Sequence, residues 1–199
     1  LNPEQNSREV LIESFKKIFP LTAKEKEVLI SRFSERQIKR RGFILQQGDV
    51  CKHFTFIVSG CFKMYAVDQA GKEHNLQFAL ENDWIADLAS FYSEKASGVY
   101  IEAIEAAVIL QIKHHDLLDL YINYHKFDRN FRIIVERKYI ELQHRVLQNI
   151  SITAEQRYEN FLEQYPHFAN RLPNTQIASY LGITPEFLSK IRKLLVQKS

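Results

Sequence analysis

Apolar residues recur at three- and four-residue spacing over the first thirty positions. Leu11, Phe15 and Ile18 share one side of a short helix closed by Pro20. Thr22 with Glu25 forms a capping box, and Val28, Leu29 and Phe33 continue a second helix behind it. From about Arg41 the period changes to alternation. Turn residues stand at Gly42, Gly48-Asp49, Gly60, Asp68-Gln69-Ala70-Gly71 and Glu81-Asn82-Asp83. Between them lie runs rich in β-branched and aromatic side chains, Phe54–Val58, Phe62–Val67 and Leu76–Leu80. Ile104, Ala106, Val108, Leu110 and Ile112 then alternate with Glu105, Ala107, Ile109 and Gln111. Short strands at this turn spacing predict a β-sandwich or barrel.

After His114-His115 the helical period returns. Phe131, Val135, Tyr139, Leu142, Val146 and Ile150 form one continuous seam, and Ile133, Ile140 and Leu147 form a second line at seven-residue spacing. A helix with two apolar faces has two surfaces to bury. One suits the β-barrel and the other an identical helix of a second subunit, which makes the first seam a candidate dimer interface. The alternative is one wide face packed inside a single subunit. Thr153 and Gln156 open a further helix carrying Tyr158, Phe161, Leu162 and Tyr165, and Pro166 ends it.

The stretch from Asn174 to Leu195 reads as a helix-turn-helix. Ile177, Ala178 and Leu181 make one apolar face, Gly182 supplies the tight turn, and Thr184-Pro185-Glu186 is an N-cap, first-position and dipole-complementing run. Leu188, Ile191 and Leu195 give the second helix its buried stripe. Such a pair places its second helix in a major groove, so double-stranded DNA is the expected partner.

Charge sharpens that reading. Between Thr184 and Ser199, Lys190, Arg192, Lys193 and Lys198 stand against Glu186 alone, a net of +3. The whole chain, with 27 basic and 24 acidic residues, also nets +3, so the entire excess sits on the last helix and its tail. Glu186, Ser189 and Lys190 are candidates for base edges. Thr175, Gln176, Arg192 and Lys193 are candidates for the DNA backbone, and Thr184 completes the DNA-facing set. No apolar run approaches the roughly 20 residues of a membrane span, and no secretory signal is visible, so a cytoplasmic protein without a membrane partner is expected. Cys51 and Cys61 cannot by themselves supply a four-thiolate metal site.

The order of barrel, long helix and helix-turn-helix resembles the CRP/FNR family of bacterial transcription regulators. Arg41-Gly42, Leu45, Gly48-Asp49 and Gly60 are similar to the family's turn spacing, and Ala70-Gly71-Lys72-Glu73 looks like its hairpin turn. Trp84-Ile85-Ala86-Asp87-Leu88 stands where cyclic-nucleotide-binding members carry Phe-Ile-Gly-Glu-Leu, and Arg157 matches a common arginine after the dimer helix. The resemblance implies an α+β fold: a cyclic-nucleotide-binding-like jelly roll (double-stranded β-helix) over residues 1–122, a long dimerisation helix over 123–151 and a helix-turn-helix domain over 152–199. It implies a homodimeric, non-enzymatic regulator reading a roughly palindromic operator under control of an effector in the barrel. RNA polymerase is a further candidate partner.

Departures from the family pattern bear on the ligand. The family's ribose-binding Gly-Glu is Ala86-Asp87 here, and the position of its phosphate-pairing arginine is Ser97. A buried phosphate without that guanidinium is left unpaired at a cost of several kcal/mol, which argues against cyclic AMP. By the resemblance, an effector pocket is walled by Leu76, Ile85, Ala86, Asp87, Leu88 and Ser97, with Leu142 or Gln143 as its lid. No cysteine precedes Cys51, so the iron–sulfur mechanism of the oxygen-sensing branch is not expected. His53, His74, His114 and His115 carry no haem or metal motif, and neither cofactor nor metal is expected. The β-hairpin wing that many members carry after the recognition helix is not encoded before Ser199, and Pro185 replaces a base-reading arginine. The alternative to a DNA-binding regulator is a sensor or cupin-like protein acting without DNA, and no His-x-His supports a cupin metal site.

Overall fold

A computed structural model describes residues 3–166, 168 and 170–198, with side chains from residue 6 to 195 among these. Helices α1 (Pro3–Lys16) and α2 (Ala23–Ser31) precede strands β1 (Phe33–Ile38), β2 (Phe43–Leu45), β3 (His53–Ser59), β4 (Phe62–Val67), β5 (Glu73–Ala79) and β6 (Trp84–Ile85). Helix α3 (Leu88–Ser93) leads into β7 (Tyr100–Ala103) and β8 (Ala107–Lys113). Five helices follow: α4 (His114–Asn123), α5 (His125–Ser151), α6 (Ala154–Gln164), α7 (Asn174–Leu181) and α8 (Pro185–Lys198).

The strands form two four-stranded sheets, ordered β1-β8-β3-β6 and β2-β7-β4-β5, the antiparallel sheets of a jelly roll. Strand β8 is the centre of the first. It pairs with β1 from Phe33↔Ile112 to Ile38↔Ala107, and with β3 from His53↔Lys113 to Ser59↔Val108. The α+β architecture thus agrees with expectation.

Two local expectations need correction. Phe33 opens β1 and does not continue α2, so the strand period begins there and not near Arg41. Arg32 fixes the change of state: its guanidinium pairs with Asp116 at 3.1 Å and Asp119 at 2.5 Å on α4, while Phe33 enters the β8 ladder. The second correction concerns β8. Ile104 and Ala106 precede it, and Ala107, Ile109 and Gln111 are buried along with Leu110 and Ile112. Both faces are covered because α1 and α4 pack on the same strand whose other side meets the core. Gln111 tolerates this burial by donating to Thr55 Oγ1 and accepting from Arg36.

The chain forms two compact units, residues 1–65 with 78–136 and residues 66–77 with 137–199. In the first, an aromatic cluster centres on Trp84, whose ring lies 6.0 Å from Phe15, 5.0 Å from Phe54, 5.1 Å from Phe56 and 5.2 Å from Phe131. These edge and tilted contacts add specific geometry to apolar burial. Phe131 is therefore a core residue with no exposed surface, and it leaves the candidate dimer seam. In the second unit, the hairpin tip joins the latter half of α5 and helices α6–α8.

Candidate nucleic-acid interface and sensor site

The helix-turn-helix forms as its sequence predicts. Gly182 ends α7 in the left-handed region at φ +69°, the Ile183 N–H donates to the Ala178 carbonyl at 3.0 Å, and the Gly182 N–H donates to Ser179. This paired closure satisfies carbonyls that a helix end leaves open. Thr184 Oγ1 then accepts from the Phe187 N–H at 3.2 Å and starts α8. Ile177, Ala178, Leu181, Leu188 and Ile191 are buried between the helices, while Leu195 is half-buried.

That packing turns Glu186, Phe187, Ser189, Lys190 and Lys193 outward. The Glu186 carboxyl is held below its ordinary range by its own backbone N–H and the Thr184 hydroxyl, so it is ionised at the start of the helix. A carboxylate repels phosphate and can only accept hydrogen bonds, which distinguishes Glu186 from the cationic donors Lys190 and Lys193. Ser189 Oγ donates to the Pro185 carbonyl at 2.9 Å. Arg192 is placed differently from its neighbours: its Nε donates to Tyr158 Oη on α6 at 2.7 Å. The Lys198 side chain, part of the charge excess, lies outside the described residues. Phe187, 43% exposed, is an apolar member of this face that charge counting passes over.

At the start of α7, Thr175 is exposed, but Gln176 is engaged. Its side-chain Oε1 and its carbonyl both accept from Asn75 Nδ2, at 2.8 and 3.0 Å. Ser179 Oγ donates to the Glu73 carbonyl at 2.9 Å and accepts from the Asn75 N–H at 3.1 Å. Arg145 of α5 donates to the carbonyls of Leu76, Asn75 and Tyr180, and its guanidinium lies 4.0 Å from the centre of the Tyr180 ring. Burial lowers the Arg145 pKa from its ordinary value, an effect that the nearby Tyr180, Tyr165 and Glu141 oppose. No periodicity marks Asn75 or Arg145, because their partners stand 35 to about a hundred residues away in the chain.

In the first unit, Asp87 caps α3 by accepting from the Ala89 and Ser90 N–H groups at 3.1 and 3.3 Å. Its other oxygen accepts from Ser97 Oγ at 2.7 Å. Ala86, Asp87 and Ser97 thus come together, with the acid committed to a helix cap and a hydroxyl. Ile85 is buried in the core, Leu88 is half-buried against it, and Lys95 is exposed on the loop after α3. Leu76, Leu142 and Gln143 belong to the second unit, where Leu76 and Leu142 are exposed and Gln143 donates to Tyr139 Oη.

A separate cleft of about 530 Å³ has His53, His114 and His115 in its wall beside Cys51. Burial, with Arg36, Lys113 and Lys52 nearby, lowers the His53 pKa, while burial pushes the Cys51 thiol up. Among the described residues, no group of three His, Cys, Asp or Glu is arranged to hold a metal ion. No described helix is long and apolar enough to cross a membrane.

Residues 35–124 match the family model of the cyclic nucleotide-binding domain. The chain is 27% identical over 172 residues to the "Probable transcriptional regulator flp" of Lacticaseibacillus casei, covering 82% of this chain and 77% of that protein. It is 22% identical over 167 residues to the transcriptional activator protein Anr of Pseudomonas protegens, covering 78% and 68%. Among solved structures, FixK2 from Bradyrhizobium japonicum superposes with a TM-score of 0.73 at 17% identity, covering 83% of this chain and 85% of that one.

Proposed function

We infer that this chain, which carries a cyclic nucleotide-binding domain and is homologous to the regulators Flp and Anr, is a DNA-binding transcriptional regulator of the CRP/FNR type. The observation that carries the reading is the outward face of α8. Glu186, Ser189 and Lys190 lie at its N-terminal end, where a recognition helix meets base edges, and Lys193 stands one turn further along. Thr175, Gln176 and Arg192 are proposed backbone contacts, with Thr184 fixing the start of the helix.

A homodimer accounts for the rest of α5. Tyr139, Ile140, Leu142, Val146, Leu147 and Ile150 are 49–79% exposed on that helix. Apolar rows at these spacings are stabilised by an equivalent helix, at about 25 cal/mol per Å² removed from water. Val135 extends the same seam. Two recognition helices then address half-sites about 34 Å apart, one DNA turn. The relatives' names place them in transcription, which supports a regulator and not an enzyme, acting in the cytoplasm, with RNA polymerase as its partner wherever it activates.

The effector is proposed to be something other than cyclic AMP. Asp87 and Ser97 satisfy each other where a nucleotide phosphate needs a guanidinium. Gel shifts against genomic fragments test the function: saturable, salt-sensitive binding to a subset of fragments is expected, and uniform failure to shift refutes it. Calorimetry with cyclic AMP tests the effector reading, with no micromolar binding expected.

A further inference from the structure

The hairpin tip of β4 and β5 belongs to the same compact unit as the helix-turn-helix, and it is held there by more than packing. Asn75 is 2% exposed, and its amide nitrogen donates to Gln176 at two acceptors, the side-chain oxygen and the backbone carbonyl. Ser179, one turn along α7, closes a second pair of bonds with Glu73 and Asn75. Arg145 joins the hairpin and the end of α7 through the carbonyls of Asn75 and Tyr180.

These bonds occupy a functional edge. In a helix-turn-helix the first helix lies across the DNA backbone, and its N-terminal N–H groups and side chains approach a phosphate. Here Lys72 and Glu73 form one wall of a cleft of about 340 Å³ whose other wall is Thr175, Gln176, Thr184 and Glu186. A phosphate backbone seated on the first turn of α7 would meet the hairpin, and the Gln176 side chain is already spent on Asn75.

We propose that the hairpin of residues 66–77 is an autoinhibitory clamp: Asn75, bonded to Gln176 and Ser179, holds the helix-turn-helix in a state that excludes the DNA backbone. The proposal rests on the DNA-binding reading above. The clamped and DNA-bound states are then alternatives, and the apparent DNA affinity is reduced by the fraction of molecules that are clamped. Linkage makes the coupling reciprocal: whatever withdraws the hairpin strengthens DNA binding, and DNA binding withdraws the hairpin. The same tip continues through β4 and β5 into the jelly roll, which gives an effector there a covalent route to the clamp.

The test uses the full chain and a duplex selected by it from a randomised pool. Hydrogen exchange is followed over residues 66–77 with and without saturating duplex. The Asn75 N–H, bonded to Ser179, is expected to exchange at least about tenfold faster when DNA is bound; unchanged or slower exchange overturns the clamp. In parallel, Asn75→Ala and Ser179→Ala are compared with the wild type by anisotropy at fixed salt. Each removes two side-chain hydrogen bonds, together worth about a factor of ten. About tenfold tighter binding is expected for either variant, with an unchanged salt slope because no phosphate contact is added. Equal or weaker binding by variants that retain the wild-type circular dichroism spectrum overturns it. If one variant fails to fold, the other and the wild-type exchange measurement still decide. Should wild type and variants all fail to bind any duplex, the DNA-binding reading falls and the clamp with it. If the wild type binds while neither exchange nor affinity shifts, only the clamp falls.

Discussion

Lys190 and Lys193 are neighbours on the outward side of α8, and position alone separates their roles. Lys190 stands beside Ser189 and near the ionised Glu186 at the end of the helix proposed to enter the groove, whereas Lys193 stands a turn later. Lys190→Ala is expected to change which sequences are bound, costing about 1–3 kcal/mol on the preferred site. Lys193→Ala should weaken all sequences alike and reduce the salt slope by about one. Binding measured on a matched and a mismatched duplex at several salt concentrations separates them, and equal losses on every sequence for both variants contradict the division. At the opposite end of the chain, Glu25 closes the capping box of α2. The Thr22 N–H and Lys126 hold its carboxyl below its ordinary value. A depressed carboxyl contributes stability above its unfolded pKa, near 4.5, which is lost as pH falls through the lower folded value. Thermal melts of Glu25→Gln should therefore differ from wild type at pH 7 and converge towards it at pH 3. Caps such as Thr22, Thr153 and Thr184 were legible in the sequence because donor and acceptor lie three residues apart. Asn75 with Gln176, or Asp87 with Ser97, were not legible as bonds, since only the fold brings them together.

At the scale of elements, periodicity located β3, β4, α5 and both helices of the helix-turn-helix, but it misassigned the boundary between α2 and β1. An apolar residue at helical spacing, Phe33, serves a strand equally well, and only its pairing with Ile112 decides. The short strands β2 and β6 were illegible for a simpler reason: two or three residues carry no period. Turn glycines were plain from sequence, yet their costs differ. Gly60 lies at φ +94°, and a Cβ there would come within 2.7 Å of the Ala106 carbonyl oxygen and of Ala107 Cβ. Gly48 has a similar φ, +91°, but open space around it. Gly48→Ala should cost about 1–2 kcal/mol from backbone conformation alone, and Gly60→Ala clearly more. Urea unfolding midpoints check the order; a reversed order contradicts the packing around the β3–β4 turn. For α5, exposed Val146 is the more informative position. Val146→Glu places a charge in the proposed seam without touching the core. Sedimentation should show the wild type as a dimer and the variant largely as a monomer with an unchanged melting curve.

For the whole molecule, the regulator reading joins a jelly roll, a helix with an unpaired apolar face and a basic recognition helix that each lack a self-sufficient role. In that reading the barrel is the proposed sensor, and its expected nucleotide contacts are closed on themselves at Asp87 and Ser97. The long helix exposes apolar residues that the proposed dimer would cover, and α8 collects the net charge of the chain. The class of molecule and the two helices of the helix-turn-helix were therefore open to inference from residues alone, whereas the hairpin's hold on α7 required coordinates. The most direct measurement is selection of duplexes from a fully randomised pool by the full chain, followed by sequencing of the bound fraction. One enriched site is expected, with two-fold symmetric half-sites whose centres lie about 34 Å apart, one turn of DNA. A bound fraction with no enriched sequence, or with a single unsymmetric element, would contradict a dimeric regulator that reads DNA through α8.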